Sequence, residues 1–150
     1  MIVTIQRVNH ASVEIKGETY SKIDQGLLLL VGITHTDTKE DVDWLTNKIA
    51  NIRIFDDQNG IMNLSIKDIG GEILTISQFT LHAKTKKGNR PSYIEAAKPP
   101  LSTELYSYFI ESLEKLLQKK CFHGIFGEYM KVNLCNDGPV TIIIDTDNKK

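Results

Sequence analysis

A run of five aliphatic residues at positions 27–31, between Gly26 and Gly32, restricts the possible folds more than any other feature of this sequence. Such a run is typical of a β-strand that is buried on both faces or that lies at a tight interface. It is far too short to cross a bilayer as a helix, which takes about 20 apolar residues. The sequence therefore predicts a central, buried strand in a soluble protein.

The patterns on either side of this run predict an α+β fold. Segments rich in β-branched residues indicate strands, and apolar residues at three- to four-residue spacing indicate two amphipathic helices. In chain order, the predicted elements are strands at 2–8, 11–15, 20–23 and 27–31, a helix at 39–51, a strand at 72–79, a helix at 101–120, and strands at 130–134 and 140–144. Because strands and helices do not alternate regularly, we expect a single domain with a curved, mainly antiparallel, barrel-like sheet and flanking helices.

Composition favours a cytoplasmic protein of one domain. A chain of 150 residues with 41% hydrophobic content is long enough to bury one core. No export signal is visible in the first ten residues, and Cys121 and Cys135 are more simply interpreted as reduced thiols than as a disulfide. The net charge of −1 provides no overall attraction to nucleic acid or membrane, so a polyanion would need a local basic patch.

Common catalytic motifs are missing from the sequence. It has no glycine-rich phosphate loop with its lysine, no CxxC pair, no HExxH and no GxSxG. The four histidines are scattered, and Cys121 with His123 would supply only half of a metal site. We therefore predict neither a metal nor a cofactor, and the candidates that remain are small, hydroxylated or conformationally special residues.

Ser77, Gln78, Phe79 and Thr80 form the first candidate cluster. From spacing alone, the favoured interpretation is a strand end whose hydroxyl groups cap the sheet. In a functional interpretation, the same strand end presents backbone N–H groups and hydroxyls that can stabilise a developing oxyanion without a charged group.

Gly138 and Pro139, within residues 136–141, form the second cluster. Composition alone favours a hairpin turn. A Gly-Pro peptide bond can also adopt the cis form at modest cost, which would direct two adjacent carbonyl oxygens the same way, towards a substrate ammonium group. A third cluster is as consistent with a solvated loop as with contacts to phosphate groups, and it consists of Lys84, Lys86, Lys87 and Arg90.

Residues 77–81 (Ser-Gln-Phe-Thr-Leu) and 136–141 (Asn-Asp-Gly-Pro-Val-Thr) resemble the two signature motifs of the D-aminoacyl-tRNA deacylase family. The resemblance covers nearly the whole chain and extends to residues 6–8, 26–28, 53–55, 62–63, 90–92, 126–127 and 130. The sequence departs from the family pattern at Glu128 and Tyr129, where a small residue followed by an acidic one is usual. The resemblance implies a cytoplasmic hydrolase that removes D-amino acids from tRNA, together with glycine attached to a non-cognate tRNA.

The resemblance also implies a homodimer in which the Gly138-Pro139 turn of one subunit, with a cis bond, enters the site of its partner. The carbonyl oxygens of this turn would hold the substrate α-ammonium, and its backbone would exclude an L side chain. Arg7 would tether the turn, although the residue alone is equally consistent with an ordinary arginine at a strand edge. The adenine pocket would be lined by Phe126, Gly127 and Met130.

For catalysis, the resemblance implies that backbone N–H groups near Phe79 and Thr80 hold the ester carbonyl. Thr80 is the only plausible side-chain nucleophile in the motif, but no base is identified beside it, so we favour water activated with help from the terminal 2′-hydroxyl. Two alternatives remain open, namely a catalytically silent RNA-binding module and a dimeric structural protein. Neither a membrane nor DNA is expected as a partner.

Overall fold

The computed structural model describes residues 1–148. Its two helices are α1 (Lys39–Asn51) and α2 (Leu101–Leu117), and short 3-10 segments lie at Phe79–His82 and Thr146–Asn148. The strands are β1 (Ile2–Ile15), β2 (Glu18–Ile23), β3 (Gly26–Gly32), β4 (Phe55–Asp56), β5 (Met62–Leu64), β6 (Glu72–Ser77), β7 (Phe122–His123) and β8 (Lys131–Asp145). Within residues 1–148, neither helix is long and apolar enough to cross a membrane.

β1 is one strand of 14 residues, whereas the sequence predicted two shorter strands. Its first half pairs with β3 and its second half with β2, while β8 runs along its other edge, and all three pairings are antiparallel. The prediction of two strands was wrong because the exposed pair Asn9 and His10, which separates the halves, lies at a shift in register and not in a turn.

β8 is also continuous, and the prediction of two strands joined by a turn was wrong here as well. Gln6 pairs with Thr141 and Val8 pairs with Asn136, so residues 137–140 all lie opposite the single residue Arg7. Because both flanks keep pairing with β1, this segment bulges out of the strand and does not reverse the chain. We call residues 137–140 the Gly-Pro bulge.

The main sheet curls into a nearly closed barrel. β3, β6 and β7 are parallel neighbours, and the pairings of β1 are antiparallel. The Ser21 hydroxyl in β2 donates to the His123 carbonyl oxygen in β7 at 2.9 Å, which joins the two ends of the sheet. The interior is an aliphatic cluster of Val8, Ala11, Val13, Ile15, Ile23, Leu28, Leu74 and Ile76. The predicted α+β class with a curved, mainly antiparallel sheet is confirmed.

The helices cover the outer face of this sheet. Leu27 and Leu29 of β3 belong to the outer core with residues of both helices, whereas Leu28 belongs to the barrel interior, so β3 is buried on both faces as predicted. α1 begins and ends at the predicted residues and starts with a capping box at Thr38. α2 ends earlier than predicted because Gln118 has a left-handed backbone, with φ of 49°.

Candidate active site

The end of β6 is held by backbone pairing with β3. The Gln78 N–H donates to the Val31 carbonyl oxygen at 2.7 Å, one residue past the last paired residue, Ser77. The chain then enters the 3-10 turn, and the first N–H groups of such a turn, those of Phe79 and Thr80, have no acceptor within it. The Gln78 side-chain amide donates to Thr80 Oγ1, so this hydroxyl oxygen already accepts a hydrogen bond.

A cavity of about 80 Å³ separates this strand end from the loop that follows β7. Ser77, Gln78 and Phe79 line it from the strand end, and Phe126 and Gly127 line it from the loop. Its other lining residues are Val31, Ile33, Ala97 and Ser102. Since all of these side chains are uncharged, a group in the cavity meets neutral hydrogen-bonding groups and apolar surface.

Tyr106 of α2 holds Phe126 beside the cavity. The centroids of the two rings are 5.7 Å apart, and the Tyr106 hydroxyl donates to the Thr75 carbonyl oxygen of β6 at 2.9 Å. Burial raises the pKa of Tyr106 well above its ordinary value, so the hydroxyl stays protonated and can donate. Sequence reasoning missed Tyr106, because its position on the apolar face of α2 indicates nothing beyond a core residue.

The basic loop, which carries Lys84, Lys86, Lys87 and Arg90, lies beside the cavity-lining residue Phe79. Phe79 is 55% exposed there, and its ring meets that of Tyr93 edge-on, with centroids 5.0 Å apart. The Lys84 and Ser92 backbones pair with each other, and the Lys84 ammonium forms an ion pair with Glu95. The charge of Lys84 is therefore partly balanced within the loop.

Arg7 anchors the Gly-Pro bulge to the body of the protein. Its Nε donates to the Asp137 carbonyl oxygen at 3.2 Å and lies 3.3 Å from Asp137 Oδ2. Its Nη1 donates to the Ile54 carbonyl oxygen at 2.7 Å and to Asp56 Oδ1 at 3.2 Å. Beyond this anchor, Gly138 and Pro139 are exposed, and the peptide bond between them is cis.

The structure does not bring every predicted site residue together. Gly138 and Pro139 do not line the cavity of their own chain, and neither do Met130 and Thr80. Met130 packs instead against Gly124, where an added Cβ would lie 2.3 Å from the Met130 sulfur, and it borders the barrel interior. Among residues 1–148, no group of three or more His, Cys, Asp or Glu side chains is arranged to hold a metal ion.

Sequence comparison finds relatives that match this chain over its full length. Residues 4–145 match the family model described as D-Tyr-tRNA(Tyr) deacylase. Relatives named D-aminoacyl-tRNA deacylase from Bacteroides thetaiotaomicron and Bacteroides fragilis are 59% and 61% identical over 150 residues, which is the full length of this chain and of each relative. The protein of the same name from Flavobacterium johnsoniae is 57% identical over the same full length.

Two solved structures have a similar fold. One, named c-Myc DNA Unwinding Element Binding Protein, is 38% identical with a TM-score of 0.90, covering 97% of this chain and 98% of that chain. The other, a probable eukaryotic D-amino acid tRNA deacylase, has a TM-score of 0.83 at 14% identity, covers 95% and 97% of the two chains, and supports the fold alone. The resemblance found from the two sequence motifs is confirmed by the full-length matches. This chain belongs to the D-Tyr-tRNA(Tyr) deacylase family of hydrolases.

Proposed function

We propose that this protein hydrolyses the ester bond between a D-amino acid and tRNA, as a proofreading step in the cytoplasm. The observation that carries the proposal is the uncharged cavity shared by Ser77, Gln78 and Phe79 with Phe126 and Gly127. It occurs in a chain whose full-length relatives are named D-aminoacyl-tRNA deacylase. Such an activity removes residues of the wrong hand after errors in tRNA charging.

In the proposed mechanism, main-chain groups stabilise the transition state. The N–H groups of Phe79 and Thr80, which open the 3-10 turn, bind the ester carbonyl oxygen as negative charge develops on it. Thr80 Oγ1 already accepts a hydrogen bond from Gln78, and Thr80 is not among the described residues that line the cavity, so its hydroxyl is a poor candidate for the nucleophile. The 2′-hydroxyl of the terminal adenosine therefore helps to activate water, and the protein supplies position.

Thr80→Ala separates this mechanism from one with a nucleophilic threonine. The variant loses one neutral hydrogen-bonding group, so we expect kcat on D-tyrosyl-tRNA to fall by no more than about tenfold. If Thr80 were the nucleophile, its loss would lower kcat by several orders of magnitude. A tRNA ending in 2′-deoxyadenosine should still bind but should turn over very slowly, and normal turnover of this substrate would exclude assistance by the RNA.

We propose that the protein is a homodimer in which the Gly-Pro bulge of the partner subunit discriminates D-aminoacyl from L-aminoacyl substrates. Three features support this: the bulge is exposed, Arg7 holds it, and it does not line the cavity of its own chain. Among the described strands β8 has β1 as its one neighbour, and Ile143 on β8 is 67% exposed, so a second copy can dock there. The bulge's carbonyl oxygens would accept the α-ammonium, and its backbone would leave room for glycine but not for an L side chain.

Mixed dimers test whether the two parts of the site come from different subunits. Ala97→Leu fills the cavity with a larger side chain. Gly138→Val adds a branched side chain at a φ of +124°, which distorts the bulge, so each homodimer should be inactive. After unfolding and refolding as an equal mixture, half of the dimers are mixed and each has one intact site, which restores roughly a quarter of the activity. If each chain completed its own site, the mixture would stay inactive.

Rival functions predict different responses in binding assays. A silent RNA-binding module would bind D-tyrosyl-tRNA without cleaving it, and a structural protein would not bind tRNA even at low salt. Competition by DNA as strong as that by tRNA would instead favour DNA binding, the activity for which the 38% identical structure is named. If the basic loop contacts phosphates, the affinity for tRNA should fall as the salt concentration rises. An affinity that does not change with salt would show that the lysines of this loop do not bind the tRNA backbone.

A further inference from the structure

The hydroxyl group of Ser102, at the start of α2, is buried without a partner. Ser102 is 3% exposed. Within residues 1–148, three buried side-chain polar atoms have no hydrogen-bond partner, namely Thr75 Oγ1, His82 Nε2 and Ser102 Oγ. Of these three residues, Ser102 is the one that lines the cavity. A buried hydroxyl without a partner is unfavourable, so its presence at this position calls for a physical reason.

The backbone near Ser102 does not provide a hydrogen-bond partner for its hydroxyl group. Serine and threonine in the first turn of a helix often bond to nearby backbone groups, and Thr103 does so by donating to the Pro100 carbonyl oxygen at 2.8 Å. The backbone N–H of Ser102 is satisfied by the Lys98 carbonyl oxygen at 3.2 Å. The Ser102 side chain is thus left with one donor and two acceptor positions beside the cavity.

We infer that Ser102 Oγ is a substrate-binding group that forms a hydrogen bond with a ribose hydroxyl of the terminal adenosine. The inference deepens the proposed function and rests on it for the identity of the ligand. It is carried by the unpaired, buried hydroxyl of a residue that shares the cavity with Ser77 and Gln78.

The size of the cavity favours a ribose hydroxyl over the base. Sites that enclose a whole small molecule measure roughly 300 to 1,000 Å³. A cavity of about 80 Å³ admits a small polar group and not a purine. In an aminoacyl-tRNA, the terminal ribose places its hydroxyl beside the ester, and this hydroxyl both donates and accepts. A bond from Ser102 would therefore orient the 2′-hydroxyl that the proposed mechanism uses to activate water.

Ser102→Ala tests the inference, with Ser107→Ala as a matched control on the exposed face of the same helix. The probes are adenosine and 2′,3′-dideoxyadenosine, and the readouts are the Kd of each nucleoside by titration calorimetry and the thermal midpoint of the free protein. Loss of one neutral hydrogen bond should raise the Kd of adenosine about 3- to 10-fold in Ser102→Ala. The Kd of 2′,3′-dideoxyadenosine, which lacks both the 2′- and the 3′-hydroxyl, should stay as in wild type, and Ser107→Ala should change neither value.

The thermal midpoint separates binding from a structural role. Removing an unpaired buried hydroxyl should leave the midpoint unchanged or raise it. An unchanged adenosine Kd would overturn the inference whatever the midpoint, as would an equal loss of affinity for both nucleosides. Deacylation of D-tyrosyl-tRNA by the wild-type protein is assayed separately. No deacylation, together with adenosine binding that depends on Ser102, would refute the proposed function and leave the nucleoside contact standing.

Discussion

Arg7→Met tests how the Gly-Pro bulge is held in place. Methionine keeps an unbranched apolar stem in the space beneath the bulge but removes every N–H donor of the guanidinium group. The substitution leaves the carbonyl oxygens of Ile54 and Asp137, and the carboxylates of Asp56 and Asp137, without this partner. Nothing else in the described contacts of the bulge ties it to the β4 region.

The expected loss of stability follows from how exposed each partner is. Hydrogen bonds from a charged donor contribute roughly 1.5 to 3 kcal/mol each, and this range applies to the two carbonyl oxygens because the Arg7 side chain is 8% exposed. The carboxylates of Asp56 and Asp137 are 50% and 38% exposed, so water replaces the lost partner and each adds less than about 1 kcal/mol. We expect a total near 4 kcal/mol, which for a domain of this size lowers Tm by roughly 10 °C.

Lys131→Met is the control, because it also removes a cation at the pairing of β1 with β8. Lys131 lies 3.7 Å from Glu14, and its side chain is 67% exposed, so the pair contributes less than about 1 kcal/mol. Circular dichroism during heating gives Tm, and deacylation of D-tyrosyl-tRNA well below Tm gives kcat/KM. Arg7→Met should lower both, whereas the control should lower neither appreciably. A Tm for Arg7→Met equal to that of the control would refute the proposed anchoring.

Three further changes test other parts of the structure. Asp37→Ala leaves the buried Met1 ammonium without its carboxylate, so the free energy of unfolding in urea should fall by about 3 to 5 kcal/mol, and a fall below 1 kcal/mol would contradict the buried pair. Gly138→Ala places a Cβ 2.9 Å from Val140 Cγ2 at a φ of +124°, so turnover of D-tyrosyl-tRNA should drop, and wild-type turnover would count against the bulge. Burial, with the charge of Glu114, raises the pKa of Cys121 to about 12, whereas Cys135 is exposed, so a thiol reagent at pH 8 should label one cysteine per native chain and two in denaturant.

The elements with strong local signals were predicted from the sequence. α1 has an N-cap at Thr38 and apolar residues at helical spacing, and it begins and ends where these signals place it. The aliphatic run in β3 indicated burial on both faces, and the two hydrophobic clusters on either side of it confirm this. The two motifs were sufficient to predict the family because both occur in one chain, in the right order and at the right distance, and the family model matches residues 4–145.

The parts that were missed depend on contacts between distant segments. Composition made residues 136–141 resemble a hairpin turn, yet both flanks pair with the same strand, so the chain bulges and continues. Likewise, Asn9 and His10 suggested a break in β1 because their polarity signals exposure, but exposure at a register shift does not end a strand. In both places, pairing with a distant strand overrode the local preference.

The sequence by itself determined the family, the two helices and the residues of the two motifs, because these depend on neighbours along the chain. The tertiary structure alone decided that Ser77, Phe126 and Ser102 share one cavity and that Arg7 lies beneath the Gly-Pro bulge. The physical reason is that curvature of the sheet and the register between β1 and β8 bring distant residues together. Both arise from packing across the whole barrel, which no single segment of the chain encodes.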